Sequence, residues 1–428
     1  IHGTVWQNFN RTIRSNVCSS MSTIEVNKIT PVSGGTAIQV GESGDTITVP
    51  SGATITNSGT ANNFTSYRPN VSPLIINGDM AVAQRSENAT GLTSSGYKSL
   101  DRFYTTLYYS SSNVGTFTSS QSSDVPTGYG FRNSLKMDCT TAQTSLPASG
   151  QIVIRYTVEA QDLNPFKFGT SNAEKMTLSF WVKSNLTGTY NTSLYNADGG
   201  STPQVNSQYT ISSADTWEKK VLVFPADTSN GFNDDNGAGL YIDWIMGSGS
   251  TYTGGTAPTT WSAFVNNTYN GGSTINMASS TSNEWLITGI QLEVGEYTSS
   301  TIPPFQHESY GDNFMRCARY YYKIAGTSGT NQTLGIGYYK ADDQWRMTSY
   351  LPCQPRTAPT LDYTSGTDYY VNDMAGLNDS FNSWTRTRAS TSTAQVTHNA
   401  SESSGTMGKA GETITYNANA YFAWTMEL

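Results

Sequence analysis

Met176-Thr177-Leu178-Ser179-Phe180-Trp181-Val182-Lys183 alternates strictly: Met176, Leu178, Phe180 and Val182 fall on one face of an extended chain, Thr177, Ser179, Trp181 and Lys183 on the other. Successive side chains of a β-strand point to opposite faces, so this stretch predicts a strand of an antiparallel sheet with one packed face. Similar stretches lie on either side. Gln151 to Val158, Trp217 to Phe224, Leu240 to Met246 and Trp285 to Val294 read as strands, separated by turn-rich runs such as Asp198-Gly199-Gly200 and Asn233-Asp234-Asp235-Asn236-Gly237. A sustained 3.6-residue period is almost absent from Val71 to Gly295. The expected fold class is all-β, with residues 71–302 forming a jelly-roll β-sandwich.

After Pro303-Pro304 a third unit begins. Phe314, Cys317, Ala318 and Tyr321 fall at i, i+3, i+4 and i+7, with Asp312 placed to cap, which predicts a short amphipathic helix from Asp312 to about Tyr322. It is expected to be the one helix of consequence. Strand-like pieces follow at Leu334 to Lys340, Trp345 to Leu351, Asp368 to Val371, Gln395 to Thr397 and Tyr421 to Glu427, so residues 303–428 read as a second, C-terminal β-sandwich.

At the other end, Ile38, Ile47 and Ile55 recur at steps of nine and eight, each in a short alternating unit closed by a Ser-Gly turn. One such unit buries almost nothing. Residues 21–70 therefore read as a short N-terminal β-repeat shaft, stabilised by association with identical chains around an axis. A flexible Gly/Ser linker has the same composition and stays open as an alternative. Residues 1–20 show no period and precede Met21-Ser22-Thr23-Ile24, which reads like an ordinary start, so a leader or read-through segment is expected there.

Of the 428 residues only 13% are charged, about half the usual share, whereas Gly (39) and Tyr (26) are plentiful. Hydroxyls, amides and aromatic rings replace ion pairs. Lys and Arg (24) are outnumbered by Asp and Glu (32) and form no patch, which argues against a nucleic-acid partner. No apolar run is long enough to span a bilayer, and no start resembles a signal peptide, so neither membrane insertion nor secretory export is expected. Cys18, Cys139, Cys317 and Cys353 lie far apart, and the histidines are His2, His307 and His398. That spacing disfavours a zinc site, and no metal or cofactor is expected; the thiols read as free and mostly buried.

Catalytic signatures are missing: there is no G-x-S-x-G, H-E-x-x-H or phosphate loop ending in G-K-[ST]. Asp234-Asp235 and Asp342-Asp343 are sequence neighbours that an extended chain sends to opposite faces, so they do not form a glycosidase pair. No catalytic residue is assigned, and the protein is expected not to be an enzyme. Asn233 to Gly237 offers oxygens to a calcium ion, but Phe232 occupies the first acidic position of the helix-loop-helix pattern, and an Asx/Gly turn is the plainer reading.

Sugar recognition needs aromatic faces against the C–H face of a pyranose, with amides or carboxylates for its hydroxyls. Trp181, on the face opposite Phe180, is one candidate. Tyr241 and Asp243, out of phase with Leu240, Ile242 and Trp244, are two more. Trp345, Tyr369, Tyr370 and Trp384, in or beside polar loop-rich stretches, are the better placed. The alternative for Trp181 is cover by a loop or a neighbouring chain; for the C-terminal four it is core or trimer packing.

Met21 to Ile29 with Gly41 to Ile55, then Leu74 to Met80 with Gln84-Arg85 and Asp101-Arg102-Phe103, then Glu308 to Asp312, Arg316 to Tyr322 and Ala420 to Leu428, resemble tail-fibre or tail-appendage proteins of marine phages, cyanophage- and pelagiphage-like. Met176 to Lys183, Thr216-Trp217-Glu218 and Trp285 to Gly295 are similar to jelly-roll carbohydrate-binding modules. The resemblance implies a homotrimeric virion protein, attached to other tail or virion proteins through its N-terminal segment, assembled in the host cytoplasm and then extracellular. Its distal sandwich would recognise a host-surface polysaccharide or lipopolysaccharide, weak single contacts gaining strength from threefold avidity. The alternatives are a glycan-depolymerising tailspike, a purely structural appendage or capsid-decorating protein, and a secreted bacterial adhesin. Sedimentation equilibrium of residues 21–428 beside residues 71–428 tests the shaft: a trimer that weakens without the repeats is expected, and a monomer in both cases removes the argument for it.

Overall fold

The structure is a computed structural model that describes residues 72–428, apart from 109–112, 201, 327–329, 375–376, 399–401 and 403. The leader over residues 1–20 and the shaft over 21–70 lie outside the described residues. The first strands are β1 (Asn88–Leu92), β2 (Gly96–Tyr97), β3 (Phe103–Tyr108), β4 (Thr116–Ser122), β5 (Ser134–Thr141), β6 (Gln151–Glu159) and β7 (Met176–Ser184). They are followed by β8 (Gly188–Asn196), β9 (Pro203–Ile211), β10 (Glu218–Phe224), β11 (Ala238–Ser248), β12 (Ser262–Ala263) and β13 (Glu284–Val294).

These strands build two facing antiparallel sheets, a six-stranded one in the order β1-β4-β5-β13-β7-β10 and a seven-stranded one in the order β12-β9-β8-β11-β6-β3-β2. The alternation of β7 does what its sequence dictates: Met176, Leu178, Phe180 and Val182 are wholly buried between the sheets. There they meet Ile154, Tyr156, Leu240, Ile242 and Trp244 from β6 and β11, the Phe180 and Trp244 rings lying edge to face at 5.9 Å. This is an all-β sandwich of jelly-roll type.

The C-terminal part begins with α1 (Tyr310–Ala318) and continues with β14 (Tyr321–Ala325), β15 (Thr333–Ala341), β16 (Gln344–Tyr350), β17 (Thr360–Tyr363) and β18 (Tyr370–Met374). It ends with β19 (Leu377–Phe381), β20 (Trp384–Ala389), β21 (Thr393–His398), β22 (Ala410–Thr415) and β23 (Phe422–Thr425). A three-stranded sheet, β14-β23-β17, and a seven-stranded one, β19-β18-β22-β15-β16-β21-β20, enclose a second core around Tyr339, Trp345, Tyr370, Phe381, Trp384 and Trp424. The helix is shifted from its expected bounds. Ser309 caps it, its Oγ accepting the Asp312 N–H at 3.1 Å and donating to Asp312 Oδ2 at 2.6 Å, so Asp312 lies in the first turn instead of at the cap. The helix stops at Ala318 because Tyr321 and the residues after it are taken into β14, which pairs with β23.

The two sandwiches are joined by buried charge. Glu427 accepts a hydrogen bond from Arg85 Nη2 at 3.0 Å on one carboxylate oxygen and from Arg102 Nη1 at 2.9 Å on the other. Arg102 is almost wholly buried, its guanidinium 3.4 Å from the Tyr320 ring centre and 5.3 Å from that of Tyr156. Arg319 makes a bidentate pair with Glu159 at 2.8 and 2.7 Å, and Tyr320 donates its hydroxyl to the same carboxylate at 2.5 Å. Asn77 donates to the Val82 and Asp101 carbonyls and its backbone N–H donates to Asn313 of the helix. Burial pushes the Asp101 carboxyl up to about 6, although Arg85 and Gln84 pull it down. The folded group is thus a weaker acid than an exposed Asp at 3.8, and its contribution to stability falls as the pH rises from 3.8 to about 6. Glu427→Gln leaves Arg85 and Arg102 short of their shared carboxylate and is expected to lower unfolding stability by about 3 kcal/mol, read from the urea midpoint; an unchanged midpoint would show the charges compensated elsewhere.

Candidate functional site

Ile152, Ile154, Tyr156 and Val158 of β6 point into the core, so Val153 and Arg155 project from the outer face of the seven-stranded sheet. By the same phase Leu240, Ile242 and Trp244 of β11 point inward, and Tyr241, Asp243 and Ile245 outward. Antiparallel register sets Asp243 directly opposite Arg155. Arg155 donates from Nε and Nη2 to the two Asp243 oxygens, each at 2.7 Å, and the Tyr269 hydroxyl donates to Asp243 Oδ2 at 2.8 Å. Asp243 is wholly buried, whereas the Arg155 side chain is 33% exposed. Burial alone disfavours a charged Arg155, but the Asp243 carboxylate beside it holds the guanidinium firmly protonated. The pair therefore presents donors at the surface with no net charge.

Aromatic rings surround this pair. Arg155 stacks over Tyr241 with 4.6 Å to the ring centre and lies 5.9 Å from Tyr195. The long connection from β11 to β13 folds back across the sheet and adds Tyr252, Phe264 and Tyr269. Phe264 lies 5.3 Å and Tyr269 5.7 Å from Tyr195, ring centre to ring centre, and Tyr252 lies 5.7 Å from Tyr269. Amide side chains pin that connection: Asn206 donates to the Tyr269 carbonyl at 2.7 Å, and Asn191 to Asn270 Oδ1 and the Gly271 carbonyl at 3.0 Å. The result is a cleft of about 530 Å³, with Gln151, Thr202 and Asn266 adding polar groups to its aromatic lining. Burial, followed by the Asp243 charge, pushes the Tyr195 and Tyr269 hydroxyls far above the ordinary tyrosine range, so both stay neutral.

Tyr241 and Asp243, paired from sequence, do share this place, with different roles. Tyr241 lines the cleft, and Asp243 is buried beneath it as the group that orients Arg155. Trp181 stands on the other sheet. Trp345, Tyr370 and Trp384 are corrections: all three are core residues. Trp345 donates to Thr413 Oγ1 at 2.9 Å, the Tyr370 hydroxyl to the Thr364 and Tyr421 carbonyls at 2.7 Å, and Trp384 packs on Phe381 at 4.7 Å. Gln344 and Arg346 beside Trp345, and Thr385 beside Trp384, take the outward positions of those strands. Tyr369 is half-buried against that core and does not line this cleft.

Arg155, Tyr195, Tyr252, Phe264 and Tyr269 were not singled out from sequence. A charged residue in the middle of the apolar run Ile152 to Val158 was the available signal. In the Asn233 to Gly237 turn, the Gly237 N–H bonds Asp235 Oδ1 at 2.8 Å and Asn233 is held by Asp198, as in an Asx turn. No group of three or more His, Cys, Asp or Glu residues able to hold a metal ion occurs among the described residues, nor does any helix there have the length and apolarity to cross a membrane.

No protein-family model matches the chain, and no curated protein matches it. Solved structures that it resembles include the enzymatically active domain of tailspike protein 4 of bacteriophage CBA120, at 13% identity over 52% of this chain and 21% of that one, with a TM-score of 0.27. A putative sugar-binding protein from Bacteroides thetaiotaomicron is 13% identical over 52% of this chain and 100% of that one, TM-score 0.29. The family 11 carbohydrate-binding module of a cellulosomal cellulase from Clostridium thermocellum is 10% identical over 49% and 98%, TM-score 0.23. The chain thus spans about a fifth of the tailspike structure's length, and none of these likenesses assigns it a ligand. The geometry separates orienting from lining residues: Asp243→Asn is expected to cost about 3 kcal/mol of unfolding stability and Tyr241→Ala less than about 1, measured by chemical denaturation. Equal costs would place both in the same structural role.

Proposed function

We propose that the protein is a glycan-binding appendage of a phage virion, without enzymatic activity, that engages a neutral saccharide of a bacterial surface in the cleft above Arg155. The observation that carries this reading is the cleft's composition: several aromatic rings around a guanidinium whose charge a buried carboxylate already cancels. Ring faces accept the C–H face of a pyranose, and Arg155 with the rim amides serves its hydroxyls. A net charge would favour ionic ligands, and here there is none. On this reading recognition belongs to the jelly-roll sandwich, whereas the sequence pointed to the C-terminal one, whose candidates Trp345, Tyr370 and Trp384 are core.

We read this cleft as one that binds without hydrolysing. Asp243, buried beneath the cleft, is already engaged by Arg155 and Tyr269, so it is not free to act as acid, base or nucleophile in the two-carboxylate scheme. The trimeric, virion-bound state rests on the residues 36–61 repeats and the resemblance of the motifs. An apolar face on the C-terminal sandwich suits it: Ile336, 76% exposed, and Tyr338 project together from the outer side of β15 and give copies a place to meet. Weak binding at one cleft then gains from three.

Affinity electrophoresis in neutral polysaccharides, with reducing-end release followed in parallel, tests the proposal. The full chain is expected to be retarded, Tyr241→Ala to lose about tenfold or more in affinity, and no reducing ends to appear. Release of reducing ends favours the depolymerising tailspike; no retardation in any neutral glycan sinks the cleft as a neutral-sugar site.

A further inference from the structure

A second cleft lies on the outer face of the six-stranded sheet and differs from the first in its charge. Trp181 of β7 is the register partner of Lys219 on β10. Gly128 and Gly130, with φ of +86° and +82°, bracket Tyr129 and turn its ring over Trp181, the ring centres 4.3 Å apart. Tyr129 itself remains 56% exposed. The floor depends on a bulge in β13 between Thr288 and Gln291, where Gly289 has a φ of +62°. A Cβ there would stand 2.5 Å from the Phe131 ring, so only glycine lets Phe131 settle into the bulge. Phe305 and His307 pack on Phe131 at 5.0 and 5.1 Å, leaving a cleft of about 480 Å³ between these rings, Trp181 and Lys219.

Lys219 is the lysine of this sheet whose charge goes unanswered. Lys136 pairs with Glu284, Lys183 with Asp124 and Lys220 with Glu218, whereas Lys219 makes no ion pair among the described residues. The Lys219 side chain is exposed at the cleft mouth, and desolvation of its ammonium, with no acid nearby to offset it, lowers its pKa. An unpaired cation on the wall of an aromatic cleft leaves its charge available to an anion from outside. The cleft above Arg155 has no such vacancy, because Asp243 fills it.

We propose that this second cleft binds an acidic sugar, a uronate or other carboxylate-bearing pyranose, whose ring lies against Trp181 and Tyr129 while its carboxylate pairs with the Lys219 ammonium. The aromatic pair supplies the stacking surface, and Lys219 supplies a charge-assisted bond that a neutral sugar does not use. The site is independent of the neutral-sugar cleft, so either stands without the other. One sandwich would then read two chemically different parts of a surface polysaccharide on its two outer faces.

The test uses the full chain with a panel of oligomers of glucuronate, galacturonate and mannuronate, sialylated oligosaccharides, and their neutral counterparts, with affinities from calorimetry. At least one acidic oligomer is expected to bind, to weaken about tenfold or more in both Lys219→Gln and Trp181→Ala, and to weaken as NaCl rises from about 50 to about 500 mM. Lys219→Gln changes a cleft-mouth residue, so it tests the site even if Trp181→Ala perturbs folding. Neutral oligomers, assayed in the same variants, report the Arg155 cleft and are expected to be insensitive to Lys219→Gln. The proposal is overturned if no acidic oligomer binds, or if those that bind do so equally well after Lys219→Gln.

Discussion

Glu427 stands between Arg85 and Arg102 where little water reaches, and the arrangement of the described chain depends on that contact. Removing two guanidiniums and a carboxylate from water is costly unless each finds its partner in good geometry. Here the partners come from three separated stretches: the segment from Asn77 to Arg102, the helix and strand around Arg319 to Tyr321, and Met426 to Leu428. They overlap Leu74 to Met80, Arg316 to Tyr322 and Ala420 to Leu428, which the sequence reading singles out. In the structure these stretches build a joint between two sandwiches. The tyrosines at the joint act as apolar walls and as cation partners at once, which lets an arginine as buried as Arg102 persist.

With the joint holding the C-terminal sandwich in place, the first sandwich keeps both outer faces free for clefts, built by different means. On the seven-stranded sheet a long connection folds back over the strands and is pinned by Asn191 and Asn206. On the six-stranded sheet a bulge at Gly289 and a glycine-bracketed tyrosine do the shaping. Their electrostatics differ because Asp243 is register-paired with the cation of one face and no acid is paired with that of the other.

Strands with strict alternation were legible in the sequence because one face of each must be buried; β7 is the plainest case, and β6, β10, β11 and β13 follow with ends shifted by a few residues. The phase of β11 also put Tyr241 and Asp243 on the outer face. Legibility failed where a side chain's surroundings come from distant chain. Trp345 lies between Gln344 and Arg346 and looked exposed, yet alternation alone sends it inward with Met347. Tyr369 and Tyr370 are adjacent, so one had to face the core, and local sequence did not say which. Phe264 and Tyr269 belong to a loop without period, whose place over the sheet is fixed by amides of β8 and β9. Ser309 was overlooked as the helix cap because Asp312 offered the same chemistry three residues later.

The separation of the joint's partners has a consequence for synthesis. Arg102 and Glu427 are 325 residues apart, and every strand of both sandwiches lies between Arg102 and Glu427 or just before. A ribosome that has completed the thirteen strands of the first sandwich has not yet supplied the carboxylate that neutralises its buried arginines. Until residue 427 emerges, Arg102 lacks the Glu427 carboxylate and Arg85 faces only that of Asp101, 4.0 Å away.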